Sequence, residues 1–186
     1  MYFFMFFSFL AKAQNIEEKV STTALGMKKD ATKASLDQVF AMKVLNAYQE
    51  SSKTKIEDLF NYFQMLTDAL LEDDLKKEII ENIHQLYQNS NAPIIDFTTD
   101  SMDKVALDQF IQKLLISEPI VFKVSDESKY DSITYRSWNT GYTITKTKSG
   151  VTTKTKVIQL VYMIQSNKDF GSSNKVVYQV NLGEMQ

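Results

Sequence analysis

Thr143-Ile144-Thr145-Lys146-Thr147-Lys148-Ser149-Gly150-Val151-Thr152-Thr153-Lys154-Thr155-Lys156 decides the fold class. It reads as the tip of a long β-hairpin, residues 132–148 and 151–166, joined at Ser149-Gly150. Two loop lengths compete. A three-residue loop places Lys146 opposite Lys154, and like charges directly across a ladder repel. A two-residue Ser-Gly loop pairs Lys148 with Val151 and Lys146 with Thr153, and is the favoured register. It sets Trp138, Tyr142 and Ile144 on one face with Val157, Val161 and Met163. Tyr135, Leu160, Tyr162 and Ile164 share the other. Both faces are apolar in mid-hairpin. One must cover helices; the second must line a pocket, meet a further helix or face another subunit.

Working outward, Ile120, Phe122 and Val124 define a strand face before the hairpin, and residues 175–183 a closing strand after a turn at Gly171. Upstream the period changes to that of helices. Residues 15–34 allow a helix with a thin apolar stripe. A second helix starts at Ser35, with Gln38 completing a capping box, and runs to about Ser51. A polar break, Ser51-Ser52-Lys53-Thr54, precedes a third over 55–71, whose face is Ile56, Leu59, Phe60, Phe63, Leu66, Leu70 and Leu71. Glu72-Asp73-Asp74 opens a fourth at the positive end of its dipole, and Asn89-Ser90-Asn91 ends it. A short strand, Ile94 to Thr98, leads to a fifth helix capped by Asp100 or Ser101 and stopped by Pro119. Helices first and strands second predict an α+β fold, with N-terminal helices packed on a curved antiparallel sheet.

The N-terminus carries an address. Tyr2 to Leu10 is an apolar run interrupted only by Ser8, about half the length of a membrane span. Ala11-Lys12-Ala13 follows as an A-x-A cleavage pattern. No Lys or Arg precedes the run, so a basic stretch is expected upstream of Met1. The expected organisation is a signal peptide over 1–13, a helical extension over 14–34 and one α+β domain over 35–186. Secretion, or export to a bacterial periplasm, follows, with no membrane span in the mature chain. The chain has no cysteine, which excludes disulfides and a lipid anchor after the cleavage site. Net charge is −2 and Arg136 is the only arginine, which counts against nucleic-acid binding.

The order of elements resembles the nuclear transport factor 2-like (NTF2-like) superfamily over about residues 55–186. Ile94-Ile95-Asp96-Phe97, the helix at 102–116 and the hairpin 132–166 with its closing strand carry the resemblance. It implies a cone, in which a bent sheet wraps a helix and leaves an apolar mouth. Members include isomerases, dehydratases, exported accessory proteins and non-catalytic dimerisation modules.

Candidate chemistry is sparse. In the cone enzymes acidic and tyrosine side chains transfer protons, so the resemblance makes Asp96 with Tyr135 or Tyr162 a candidate set. Burial of Asp96 raises its pKa toward a useful range. Strand alternation instead places it on the solvent side, opposite Ile95 and Phe97, and this is the favoured placement. His84, the only histidine, is a base at a pocket edge or, as favoured, a boundary surface residue. Trp138 and Tyr142 stack on a ligand or fill the core; the core is favoured. Asp96, Asp100 and Asp103 lack the glycine and terminal Glu of a calcium loop, and capping explains the last two. The lysine-rich tip is a solvated end that discourages edge pairing. No metal or cofactor is expected. The expected function is an exported, non-catalytic ligand-binding or protein-interaction module. It acts as a homodimer or with a cell-envelope partner, and a small apolar ligand in the cone is possible. The alternative is a cone-pocket isomerase or dehydratase using Asp96 and a tyrosine.

Overall fold

The computed structural model describes residues 42–186 except 135, 170, 172 and 173, and only the backbone over 126–133. The signal peptide, the 14–34 extension and the capping box at Ser35 lie outside the described residues. The chain divides into two compact units, residues 1–46 and 47–186. Of the first, the described part is helical backbone over 42–46. The second holds the sheet and the grooves described below.

The fold is α+β. A strongly curled four-stranded antiparallel sheet is accompanied by three helices among the described residues. Helix α1 (42–66) is followed by α2 (Asp73–Leu86), β1 (Pro93–Ile95), β2 (Lys104–Ala106) and α3 (Leu107–Leu115). The strands β3 (Ile120–Thr134), β4 (Ser137–Lys148), β5 (Val151–Asp169) and β6 (Asn174–Met185) form a meander in that spatial order. β1 and β2 make a separate antiparallel pair.

The hairpin register is the one the lysines favour: Lys148 pairs with Val151 and Lys146 with Thr153. Ser149 and Gly150 both adopt positive φ, 50° and 80°, which gives the primed turn that matches strand twist. Trp138, Tyr142, Ile144, Val157 and Val161 are buried on one face. On the other, Leu160, Tyr162 and Ile164 are half-buried and Ile158 is exposed.

The buried face closes over an aromatic core. Phe60 of α1 makes edge contacts with Phe63, Phe97, Phe122 and Tyr142, and Phe110 of α3 with Phe63 and Phe97. Six rings therefore form one connected cluster in the core. Burying one such side chain stabilises by roughly 1.5–3 kcal/mol, and edge-to-face geometry adds to that.

Four expectations about helices and strands are corrected. The polar break at 51–54 is continuous helix: Ser52 is fully buried, and its hydroxyl donates to the Gln49 carbonyl one turn back. The same helix stops at Leu66, not Leu71, leaving Leu70 93% exposed. Thr67 ends it: the hydroxyl donates to Gln64 O and accepts from Ile120 N of β3 at 3.0 Å. α3 starts at Leu107 without a side-chain cap, because 104–106 are drawn into the pair with β1. Asp100 and Ser101 thus cap nothing; Asp100 instead binds Lys146 at 2.8 Å. The strand expected from 132 is interrupted, since β3 ends at Thr134 and β4 begins at Ser137.

Candidate functional site

β6 is the last strand of the sheet among the described residues, and one of its sides has no strand neighbour there. The chain leaving α2 reaches that side at one point. Tyr87 makes a parallel bridge to Leu182, and Gln88 N–H donates to the Leu182 carbonyl at 2.9 Å. Before this contact the edge borders a groove of about 520 Å³. Lys55 and Tyr62 of α1, Asn82, Gln85 and Leu86 of α2, Tyr87, and Gln179 and Asn181 of β6 line it. Lys55 and Tyr62 are seven residues apart and so share a helix face.

The lining is rich in hydrogen-bonding groups. Four carboxamides, two tyrosines and one lysine line it, and Lys55 is the sole group with a charge at neutral pH among these lining residues. Burial pushes the Lys55 ammonium below its usual pKa, and the Asp58 carboxylate opposes that shift. Asn181 donates to the Tyr87 carbonyl at 3.1 Å, while its buried Oδ1 accepts no hydrogen bond. The Tyr87 hydroxyl is likewise buried and unpaired, and burial pushes its pKa strongly up. A buried polar atom left without a partner costs roughly 1–3 kcal/mol. The set can hold a polar, hydrogen-bonding ligand carrying a negative charge. It has no paired acid and base.

A second, smaller groove of about 380 Å³ is lined by Gln88, Asn89, Ala92, Pro93, Tyr162, Gly183 and Glu184. Here Tyr162 lies against Gly183 so closely that a Cβ at 183 would sit 2.6 Å from its Cε2. Gly183 falls in a register shift between Gln159 and Val161, where β6 carries an extra residue.

The residues singled out in the sequence are dispersed. Asp96 is 2% exposed, not on the solvent side, because it follows β1 as the anchor of a turn. Its Oδ1 accepts from Thr98 N–H at 2.9 Å and from the Thr98 hydroxyl, and its Oδ2 pairs with Lys113 at 2.5 Å. Burial pushes its pKa up, but the Lys113 and Thr98 hydrogen bonds and the Lys113 charge outweigh it, and the carboxyl lies below its ordinary value. That is the opposite of the raised pKa a proton-transfer role calls for. Tyr162 lies in the smaller groove, and Asp96 has its polar contacts elsewhere, with Thr98 and Lys113. Tyr135 is outside the described residues. His84 is on α2 and bonds Asp108 of α3 at 2.8 Å, partly exposed.

Trp138 and Tyr142 are 1% and 2% exposed, within the core. Tyr142 donates to Gln159 Oε1 at 3.2 Å, and the Trp138 indole N–H is buried without a partner. Lys146 of the tip is itself buried, held by Asp100 and the Thr99 carbonyl. Among the described residues no group of three His, Cys, Asp or Glu could hold a metal ion. Nor is any helix there long and apolar enough to cross a membrane.

Sequence reasoning missed Lys55, Asn82, Gln85, Gln179 and Asn181. Each sits on the polar side of an amphipathic element, where carboxamides and lysines look like solvated surface. One trace was legible: Asn181 is a polar residue in an otherwise apolar strand end, Val180-Asn181-Leu182. No family model, no curated protein and no solved structure matches this chain.

Proposed function

We propose that this chain is an exported, non-catalytic binding module with an NTF2-like fold, whose ligand site is the groove between α1, α2 and the edge of β6. The observation that carries the reading is the groove's lining. Four carboxamides, two tyrosines and the half-buried Lys55 converge there. Such a surface recognises a polar ligand through hydrogen bonds, with one charge for orientation. The curled sheet and preceding helices are consistent with the NTF2-like plan. Export is supported by the Tyr2–Leu10 run and the Ala11-Lys12-Ala13 pattern. Mature protein recovered outside the cytoplasm is expected to begin at Gln14, read by mass spectrometry of its N-terminal peptide.

Binding is tested with a library of small carboxylic acids, neutral sugars and tripeptides, added to the full chain and read by NMR. Side-chain amide resonances of Asn82, Gln85, Gln179 and Asn181 are expected to shift together with at least one class. A library that leaves all four unmoved, or that shifts only residues elsewhere, overturns the site.

A further inference from the structure

The groove takes Gln179 and Asn181 from β6, and the hydrogen-bond phase of that strand's outer edge, which has no strand neighbour among the described residues, can be worked out. The Leu182 carbonyl accepts from Gln88 and therefore points away from β5. In an antiparallel strand the N–H and C=O of one residue point to the same side, and sides alternate. The β5–β6 register is unbroken from Leu182 to Asn174. Hence Val180, Tyr178 and Val176 turn their main-chain N–H and C=O toward the edge, and Gln179 and Val177 spend theirs on β5. These outward groups recur every two residues, about 6.8 Å apart. Val176 and Tyr178 are 53% and 40% exposed, and the Tyr178 ring meets Tyr48 of α1 edge-on at 6.5 Å.

Among the described residues no strand pairs with this edge, and Lys175 stands at its start. Val176-Val177-Tyr178 is β-forming and apolar, with neither proline nor an acidic residue to blunt it. At one end the strand's edge is taken by Tyr87–Gln88; before that, Gln179 and Asn181 flank the outward main chain of Val180 at the groove. Carboxamides match the paired donor and acceptor of a peptide bond, and Lys55 faces the same space with no carboxylate among the lining residues.

We propose that the groove receives an extended peptide segment, which adds as a fifth strand beside β6 over residues 176–180 and sets a carboxylate against Lys55. The proposal rests on the groove being the binding site and names its partner class. Main-chain bonds to Val176, Tyr178 and Val180 supply affinity, and the carboxamides and Lys55 fix register and polarity. A small polar ligand satisfies the side chains but leaves the row of main-chain groups unused, which is why a peptide is favoured.

The test is panning of a random twelve-residue phage-displayed peptide library on the full chain, followed by anisotropy titration of the selected synthetic peptide. Selected sequences are expected to alternate β-forming residues and to carry an acidic residue or free C-terminus. N-methylation of peptide amides in one alternate phase is expected to abolish binding, and in the other phase to leave it within about twofold. Lys55→Gln is expected to weaken binding about tenfold. Val176→Pro removes one outward N–H and is expected to weaken peptide binding while leaving the melting temperature nearly unchanged. Val177→Pro removes a bond to β5 and is expected to lower it by about 5 °C. Strand addition is overturned if no peptide is selected, if N-methylation acts equally in both phases, or if the chain self-associates through Val176–Val180 instead. Small molecules that shift the four carboxamides while no peptide binds would leave the groove as the site and remove the peptide.

Discussion

Replacing Asp96 by asparagine separates a turn anchor from a proton-transfer acid. The carboxylate is buried and accepts two bonds from Thr98 and one from Lys113. Asparagine keeps an oxygen for Thr98 but presents an amide nitrogen to the Lys113 ammonium, which then loses its partner. A hydrogen bond to a charged group contributes about 1.5–3 kcal/mol. Lys113 is 43% exposed, so water screens part of its attraction. A net cost of about 2 kcal/mol at pH 7 results, or roughly 4–8 °C in melting temperature for a chain of this size.

The sign of the pH dependence follows from the lowered pKa. The contribution is fully present above the unfolded value, about 3.9, and fades as pH falls through the lower folded value. Urea unfolding of wild type and Asp96→Asn at pH 7, 5, 4 and 3 measures the gap. It is expected to hold between pH 7 and 5 and to narrow below pH 4. An equal stability of the two proteins at pH 7, or a gap that widens in acid, would refute the reasoning.

Gly183→Ala is expected to cost about 1–3 kcal/mol, because its Cβ meets the Tyr162 ring at 2.6 Å and Leu160 Cβ at 3.3 Å. Tyr162→Leu in the same chain should recover part of that, read as a coupling in a double-mutant cycle. Thr67→Val removes both the bond to Gln64 O and the acceptor for Ile120 N, and should cost about 1–3 kcal/mol in chemical denaturation. Leu70→Ser, at 93% exposure, should change stability by less than about 0.5 kcal/mol. A larger loss would mean that α1 does extend to Leu71.

How much was legible differs between strands and helices for a physical reason. Lys146 opposite Lys154 is an electrostatic conflict visible in the sequence, and avoiding it selects the register that the sheet adopts. The alternation that buries Trp138, Tyr142 and Val161 is likewise local, because a strand's period is fixed by its own backbone. The helix ends were not local. Ser51 to Thr54 looked like a break, yet Ser52 has a carbonyl one turn back and tertiary burial to hold it in a helix. Leu70 continued the apolar period, but Thr67 bonds β3 and turns the chain away. Asp96 was misplaced for the same reason: Lys113, seventeen residues on, makes its burial tolerable.

The sequence by itself determined the α+β class, the meander's hairpin register, the apolar face of the sheet and the absence of disulfides, since each follows from period, charge or composition along a short stretch. Tertiary structure alone decided which six rings meet in the core and that a polar groove opens beside the edge strand. Lys55, Asn82 and Asn181 lie far apart in the chain, and each is unremarked on its own element; only the docking of α1 and α2 beside an edge strand gives them a common space. Side chains that recognise a partner are chosen for where they converge, and convergence is a property of packing rather than of spacing.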